Sequence, residues 1–401
     1  MWIRRQLAGE IASLARSFPV VVLVGPRQVG KTSLLESTFA ELPFVPLDLA
    51  SNAEMAETRP EEFLATYPPP VVLDEVQYAP ALFRHLKAAV DRRAGEKGLF
   101  LLTGSQNYAL MQSVSESLAG RAAVIPFHGL SGQEWEAALF RERHSWRELL
   151  WRGGFPGLWA EGDAGPSRDR WYQGYVATYL ERDVRNLLNV GNLRDFERFL
   201  RAVAARAAQL LNMADLGRDV GISPSTVRQW LSVLQASGLI LLLEPYHRSL
   251  GKRLVKSPKL YWTDTGLVAF LLGFSSAEAL WQNNASAGAL FENYVVGQWL
   301  RWRDWSEPSA QLWFWADAKH EVDLVVERNG LLHPIEVKLS EKPDARDQRG
   351  IGAFRAMYGE LAAPGWVACT AERPFDLAPD LTAAPGWKVW NLDQPAAGKS
   401  V

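Results

Sequence analysis

The stretch that most constrains this chain is Val21-Val22-Leu23-Val24-Gly25-Pro26-Arg27-Gln28-Val29-Gly30-Lys31-Thr32-Ser33. Four apolar, mostly β-branched residues predict a buried strand, a glycine-bounded loop follows, and a helix then begins. The loop fits G-x-x-x-x-G-K-[ST] without a departure. Gly25 and Gly30 let backbone N–H groups turn inward around a phosphate chain. Gly25, Pro26, Arg27, Gln28, Val29, Gly30, Lys31, Thr32 and Ser33 are therefore the expected nucleotide-binding residues. The start of the following helix adds a positive dipole end. Lys31 is placed to reach the β- and γ-phosphates of ATP, and the Thr32 hydroxyl to hold Mg²⁺.

Further strands are expected downstream. Residues 3–17 read as a helix before the first strand, and Phe44–Leu49 as the second strand. Val71-Val72-Leu73-Asp74-Glu75 reads as a third, ending in two acids, which is the form of a Walker B segment. Asp74 would orient the Mg²⁺ shell, and Glu75 would polarise the attacking water. Leu99–Asn107 is a fourth apolar strand with a polar tip. Ser105, Gln106 or Thr103 could there lie between the water and the γ-phosphate, and the sequence does not choose among them. Ala122–Phe127 is a fifth strand. Arg121 lies just before it and Arg84 after the third strand; the resemblance to AAA-type ATPases set out below implies that one of them, Arg121 first, would reach a neighbouring subunit's γ-phosphate. That role requires an oligomer. Strands alternating with helices predict an α/β fold with a parallel sheet and a ligand at its carboxyl edge.

Composition narrows the partners. The net charge of −2 gives no global electrostatic case for nucleic acid, so DNA contact must rest on a local patch. Cys369 is the sole cysteine, which excludes an internal disulfide and fits a reducing compartment. No apolar run reaches the roughly 18 residues of a membrane span, so a cytoplasmic protein without a membrane partner is expected. The 401 residues divide by pattern into an ATPase domain (1–160), a helical linker with a winged helix (161–262) and a last domain (263–401).

In the middle region, Glu161–Pro166 is a turn-rich break. Residues 198–211 read as helical, Met213–Val220 as a short helix and Gly221-Ile222-Ser223 as a turn. A longer helix through Ser237 turns Val227, Trp230, Leu231 and Leu234 inward and Arg228 and Gln229 outward. A basic segment follows with Arg248, Lys252, Arg253, Lys256 and Lys259, and then a strand, Lys259–Trp262. This order is a winged helix whose basic wing could contact phosphates, although such modules also serve packing and protein docking.

The last region carries a second constellation. Glu292 lies on an apolar helix, Asp323 on a strand, and the Asn329-Gly330 turn leads to a strand with Glu336 and Lys338. Glu336 and Lys338 share one face of that strand. An acid facing an acid and a lysine across a hairpin is the core of a PD-(D/E)xK nuclease site. Asp323 and Glu336 would supply oxygens to Mg²⁺, with Glu292 in support and Glu321 as a spare acid. Lys338 would position or deprotonate the attacking water. Trp299, Trp302 and Trp305, interleaved with Arg301 and Arg303, read as a stacking surface or as helix packing. Lys388–Leu392 is expected as a final strand.

Taken together these motifs resemble a prokaryotic family, the AAA-type P-loop ATPases of the additional-strand group with a C-terminal domain of unknown function 4143. The resemblance rests on Gly25–Thr32, Leu73–Gln77, Leu102–Ser105, Ser117–Arg121, Gly153–Pro156, Tyr179–Val184, His320–Asp323 and Pro334–Lys338. It implies an ATPase core, a winged helix and a restriction-endonuclease-like C-terminal fold. The expected activity is ATP hydrolysis coupled to movement or remodelling of DNA, branched or single-stranded, with metal-dependent cleavage as a further capacity. The expected assembly is a homo-oligomer, a hexameric ring being one form. Two rivals stand beside it: a regulatory ATPase whose last domains bind a protein partner, and a ring that remodels DNA junctions without cutting.

Overall fold

Val20 to Gly25 carries no polar side chain, and all six residues are buried in strand β1 (Val20–Gly25). In the computed structural model, residues 3–105, 108–139, 145–159, 167–180, 193–247, 257–344 and 347–393 are described. The chain divides into two compact units. One is Met1–Leu130 with Phe155–Ala160 and Ala236–Leu239; the other is Ser131–Gly154 with Glu161–Gln235 and Ile240–Val401.

The first unit runs α1 (Ala8–Ser17), β1, α2 (Lys31–Thr38), β2 (Phe44–Pro46), α3 (Ala50–Thr58), α4 (Pro60–Thr66), β3 (Val71–Asp74), α5 (Leu82–Arg92), β4 (Phe100–Ser105), α6 (Tyr108–Leu118) and β5 (Ala122–Pro126). Its five-stranded sheet has the order β2-β3-β4-β1-β5 and is parallel throughout. Strand β4 is thus inserted between β1 and β3, the additional-strand order. The register sets Gly25 level with Ser105 and Pro46 level with Asp74, so the chemistry-bearing ends share the carboxyl edge. Val22, Val24, Leu73, Phe83, Leu86, Phe100 and Leu102 form the core. Each fully buried side chain of this size contributes about 1.5–3 kcal/mol.

The second unit begins with α7 (Gly132–Leu139), α8 (Trp146–Arg152), α9 (Arg168–Tyr175) and α10 (Leu193–Ala204). There follow β6 (Gln209–Leu210), α11 (Met213–Val220), α12 (Pro224–Ala236), β7 (Ile240–Leu243), β8 (Lys259–Trp262), α13 (Thr265–Leu271), α14 (Ala277–Gln282) and α15 (Asn284–Ser306). It ends with β9 (Gln311–Ala316), β10 (Glu321–Arg328), β11 (Leu331–Val337), α16 (Arg349–Tyr358), β12 (Gly365–Cys369), β13 (Phe375–Ala378) and β14 (Leu381–Pro385). Strands β6, β8 and β7 form a small antiparallel sheet with β8 in the middle. The larger sheet is mixed, in the order β13-β14-β12-β11-β10-β9. Asn329 and Gly330 both take positive φ (52° and 78°), the conformation a tight hairpin turn between β10 and β11 needs.

Three expectations are corrected. The helix expected over 198–211 ends at Ala204, because Ala208 turns to φ 60° and its N–H bonds Leu260 O at 2.7 Å, starting the pairing of β6 with β8. Lys388–Leu392 forms no strand. Trp390 there packs edge-on against Trp299 at 5.3 Å, so side-chain burial rather than pairing holds the segment. Ser131–Gly154 joins the second unit rather than the ATPase domain, since Gly132 N–H bonds Gln298 and Trp146 stacks on Trp387. Gln106, the break at Glu161–Pro166, the stretch 181–184 and the basic residues Arg248, Lys252, Arg253 and Lys256 lie outside the described residues.

Candidate functional site

The loop after β1 takes its shape from two glycines. A Cβ on Gly25 would lie 2.0 Å from the Phe127 carbonyl oxygen, so only glycine lets the chain leave the sheet there. Gly30 has φ 93°, left-handed backbone at the entry to α2, and Gln28 is also left-handed at φ 65°. Lys31 is buried and folds back over the loop, donating to the carbonyls of Gly25 (3.0 Å) and Pro26 (2.9 Å). Burial lowers its pKa to about 8, against the pull of Glu75 and Asp74. Val29 is buried, Ser33 lies half-buried on the first turn of α2, and Arg27 at the rim donates to the Tyr78 hydroxyl at 3.1 Å.

Across the edge, the Thr32 hydroxyl lies 3.1 Å from both carboxylate oxygens of Asp74. A hydroxyl and a buried carboxylate in contact fit a hard cation such as Mg²⁺. Burial raises the Asp74 pKa, the hydrogen bond from Thr103 opposes this, and Glu75 adds to it. The Thr103 hydroxyl donates to Asp74 and accepts the Glu75 N–H at 3.1 Å. Glu75 itself sits in left-handed backbone at φ 55°, just past the end of β3.

Two residues here were missed by sequence reasoning. The Gln77 amide donates both to the Glu75 carboxylate and to Ser105 Oγ, the latter at 3.1 Å. A Cβ on Gly104 would come 2.9 Å from the Gln77 side-chain oxygen and 2.4 Å from Leu110, so the glycine leaves room for this amide. The signal was present in Leu-Asp-Glu-Val-Gln, without a role attached to its last letter. Buried Arg5 donates to Val29 O and His128 O, each at 2.7 Å, and stacks on Phe127 at 4.2 Å. It ties the phosphate loop to the segment after β5, and nothing in the local sequence announces it.

The second unit does bring Glu292, Asp323, Glu336 and Lys338 together. Leu324 pairs with Ile335 across the hairpin, which sets Asp323 beside Glu336. Asp323 Oδ2 accepts the Val337 N–H at 2.9 Å, and Lys338 donates to Glu336 Oε1 at 2.7 Å. A further residue enters from β8. Lys259, read from sequence as part of a basic wing, is only 4% exposed. It donates to Glu292 Oε1 at 2.9 Å and Asp323 Oδ1 at 3.3 Å and also pairs with Glu321. The Tyr261 hydroxyl donates to Glu292 Oε1 at 2.7 Å.

These residues do not fit a divalent cation. One oxygen of each of Glu292 and Asp323, Oε1 and Oδ1, already accepts from the Lys259 ammonium. Among the described residues, no group of three or more His, Cys, Asp or Glu side chains is arranged to hold a metal ion. Glu292, Asp323 and Glu336, the ligand set expected from sequence, are thus brought together with Lys259 lodged against two of them. Burial and Asp323 push the Glu336 pKa up to about 8, and burial and Asp323 push Glu292 up to about 7, so both carboxyls tend to keep a proton. Burial alone would lower the Lys259 pKa, but Glu292, Asp323 and Glu321 outweigh it and hold the ammonium protonated.

With this geometry in hand, the comparisons with known proteins are direct. The model of an AAA domain matches residues 17–136, a domain of unknown function (DUF8612) matches 143–278, and another (DUF4143) matches 287–392. The chain is 30% identical over 385 residues to the uncharacterized protein Rv2008c of Mycobacterium tuberculosis, covering 95% of this chain and 83% of that one. The uncharacterized protein Mb2031c of Mycobacterium bovis matches equally, at 30% over 385 residues with the same 95% and 83% coverage. The chain belongs to this family of AAA-domain proteins ending in DUF4143. Among solved structures it is similar to the Walker-type ATPase PABY2304 of Pyrococcus abyssi, at 18% identity and a TM-score of 0.45, over 67% of this chain and 96% of that one.

The AAA domain implies ATP and Mg²⁺ binding with ATP hydrolysis. Arg121 of this domain lies one residue before β5, at the sheet edge opposite the phosphate loop, where its Nε pairs with exposed Asp91 at 2.6 Å. Arg84 is exposed on α5. In the DUF4143 region the tryptophan series is largely packing. Trp299 is 1% exposed and stacks edge-on with Trp302 at 5.2 Å, while buried Arg301 donates to Gly297 O and Thr263 O. Among the described residues no helix is long and apolar enough to cross a membrane.

Proposed function

We propose that this chain is an ATP-driven switch that binds DNA through its middle region. ATP would lie along the Gly25–Thr32 loop, with Lys31 released from the loop carbonyls to meet the terminal phosphates. Bound Mg²⁺ would supply charge neutralisation at those phosphates, held by Thr32 and Asp74. Glu75 takes the proton of the attacking water, while Gln77 and Ser105 fix where its carboxylate points. Thr103 holds Asp74 and the Glu75 backbone in register.

DNA binding rests on one observation, the outward face of α12. Its exposed residues are Pro224, Ser225, Arg228, Gln229, Ser232 and Gln235, and the helix carries no acid. It is the second helix of a helix–turn–helix backed by the β6-β8-β7 sheet, a winged-helix order, and its inner face is held by Trp230 against Phe196 and Phe199. A polar, acid-free helix face with one arginine suits phosphate and base-edge contacts.

The test is binding of fluorescent duplex, single-stranded and junction DNA by the full chain over a salt series, with and without ATP. Affinity that falls steeply with salt and weakens in Arg228→Ala supports the reading. Binding that is absent, or indifferent to both, overturns it and favours a protein partner. Sizing the particle with and without ATP, beside Arg121→Ala, tests for an oligomer in which Arg121 acts on a neighbour.

A further inference from the structure

We propose that Lys259 is the resident cation of the DUF4143 acid cluster: its ammonium stands where a divalent metal would stand in a nuclease of this layout, so the domain keeps its charge balance without metal and does not cut nucleic acid. The ammonium bridges three carboxylates from two elements, Glu292 on α15 and Glu321 and Asp323 on β10. It does so at ordinary hydrogen-bond lengths of 2.9 and 3.3 Å to Glu292 and Asp323, not the shorter metal–oxygen distances of Mg²⁺.

Its hold is built into the fold. Lys259 lies on the central strand of the small sheet, paired with Leu243 on one side and Leu210 on the other. The ammonium lies 5.9 Å from the Phe314 ring, and the residue is buried. Leaving the cluster would strip a buried charge of all three partners. A metal ion placed on the same Asp323 and Glu292 oxygens would lie within a few ångströms of that ammonium, a repulsion strongest in a buried site. The second lysine, Lys338, serves Glu336 Oε1. Among the described residues the buried Glu336 Oε2 has no hydrogen-bond partner.

The experiment is titration of the nucleotide-free full chain with Mn²⁺, read by calorimetry and by melting temperature. The wild type is expected to show no Mn²⁺ site that depends on Asp323, and no rise in melting temperature. Lys259→Met is expected to gain one Mn²⁺ per chain and a Mn²⁺-dependent rise in melting temperature, both lost when Asp323→Asn is added. A wild-type site abolished by Asp323→Asn overturns the proposal, as does a folded Lys259→Met that gains none. Should Lys259→Met fail to fold, the wild type beside Asp323→Asn decides alone, and DNA incubated with Mn²⁺ must stay intact in both.

Discussion

The Thr103 hydroxyl donates to the Asp74 carboxylate across the β4–β3 boundary. The same oxygen accepts the backbone N–H of Glu75, so one threonine aligns both acids of the site. Thr103→Val keeps the shape and removes both bonds. Losing a buried bond to a charged group costs about 1.5–3 kcal/mol, so kcat for ATP should fall by roughly 10- to 150-fold with little change in nucleotide affinity. Steady-state hydrolysis beside binding of a fluorescent ATP analogue measures the split.

Glu75→Gln should bind ATP normally and lose about 10²- to 10⁴-fold in turnover, the range for a positioned general base. Gln77→Ala should lower kcat while leaving KM near the wild-type value, because the amide touches Glu75 and Ser105 rather than the loop. If KM rises instead with kcat unchanged, Gln77 is not a positioning residue.

Arg5→Met would leave the carbonyls of Val29 and His128 buried without their donor. Each orphaned group costs about 1–3 kcal/mol, so a clear drop in melting temperature is expected, and a higher KM for ATP because the loop is no longer tied down. Arg5→Lys should recover only part of both, since an ammonium lacks the fork that serves two carbonyls at once.

Stability should pass through a minimum near pH 8. Between pH 4.5 and about 8 folded Glu336 holds a proton that the unfolded chain has released, so stability falls as pH rises. Above about 8 and up to 10.5 folded Lys31 has lost a proton that the unfolded chain keeps, so stability climbs again. Calorimetry across pH 5–10 tests this, and Glu336→Gln should flatten the acid-side limb. A limb of unchanged slope in that variant would assign the effect to another group.

Arg228→Ala should weaken DNA binding about equally across sequences and reduce the salt slope by about 1, if its contact is to phosphate. A loss confined to one sequence would place the contact on a base edge instead.

The first unit was legible because its function is written in contiguous spacing. Gly25, Gly30, Lys31 and Thr32 fall within one eight-residue stretch from the end of β1 to the start of α2, and Asp74 and Glu75 are neighbours at a strand end. The hairpin at Asn329-Gly330 was equally plain, because only a few residues tolerate positive φ there. What stayed hidden acts across long separations. Arg5 reaches His128, and Lys259 reaches Asp323, contacts that no local pattern encodes. Lys259 was misread because an alternating basic segment looks solvated until the sheet turns its side chain inward. The strands β12, β13 and β14 escaped notice because their short runs carry Gly, Pro and Ala where strand-forming residues were sought.

Strand β8 has one further bearing on how this protein can be taken apart. A fragment starting after Trp262 would keep Glu292, Glu321 and Asp323 while discarding the lysine that answers them. Such a piece would carry those carboxylates without their ammonium and would be open to whatever divalent ion its buffer offered. Any cutting measured on it would describe an artefact of dissection, and the same strand must travel with both modules when they are exchanged between relatives.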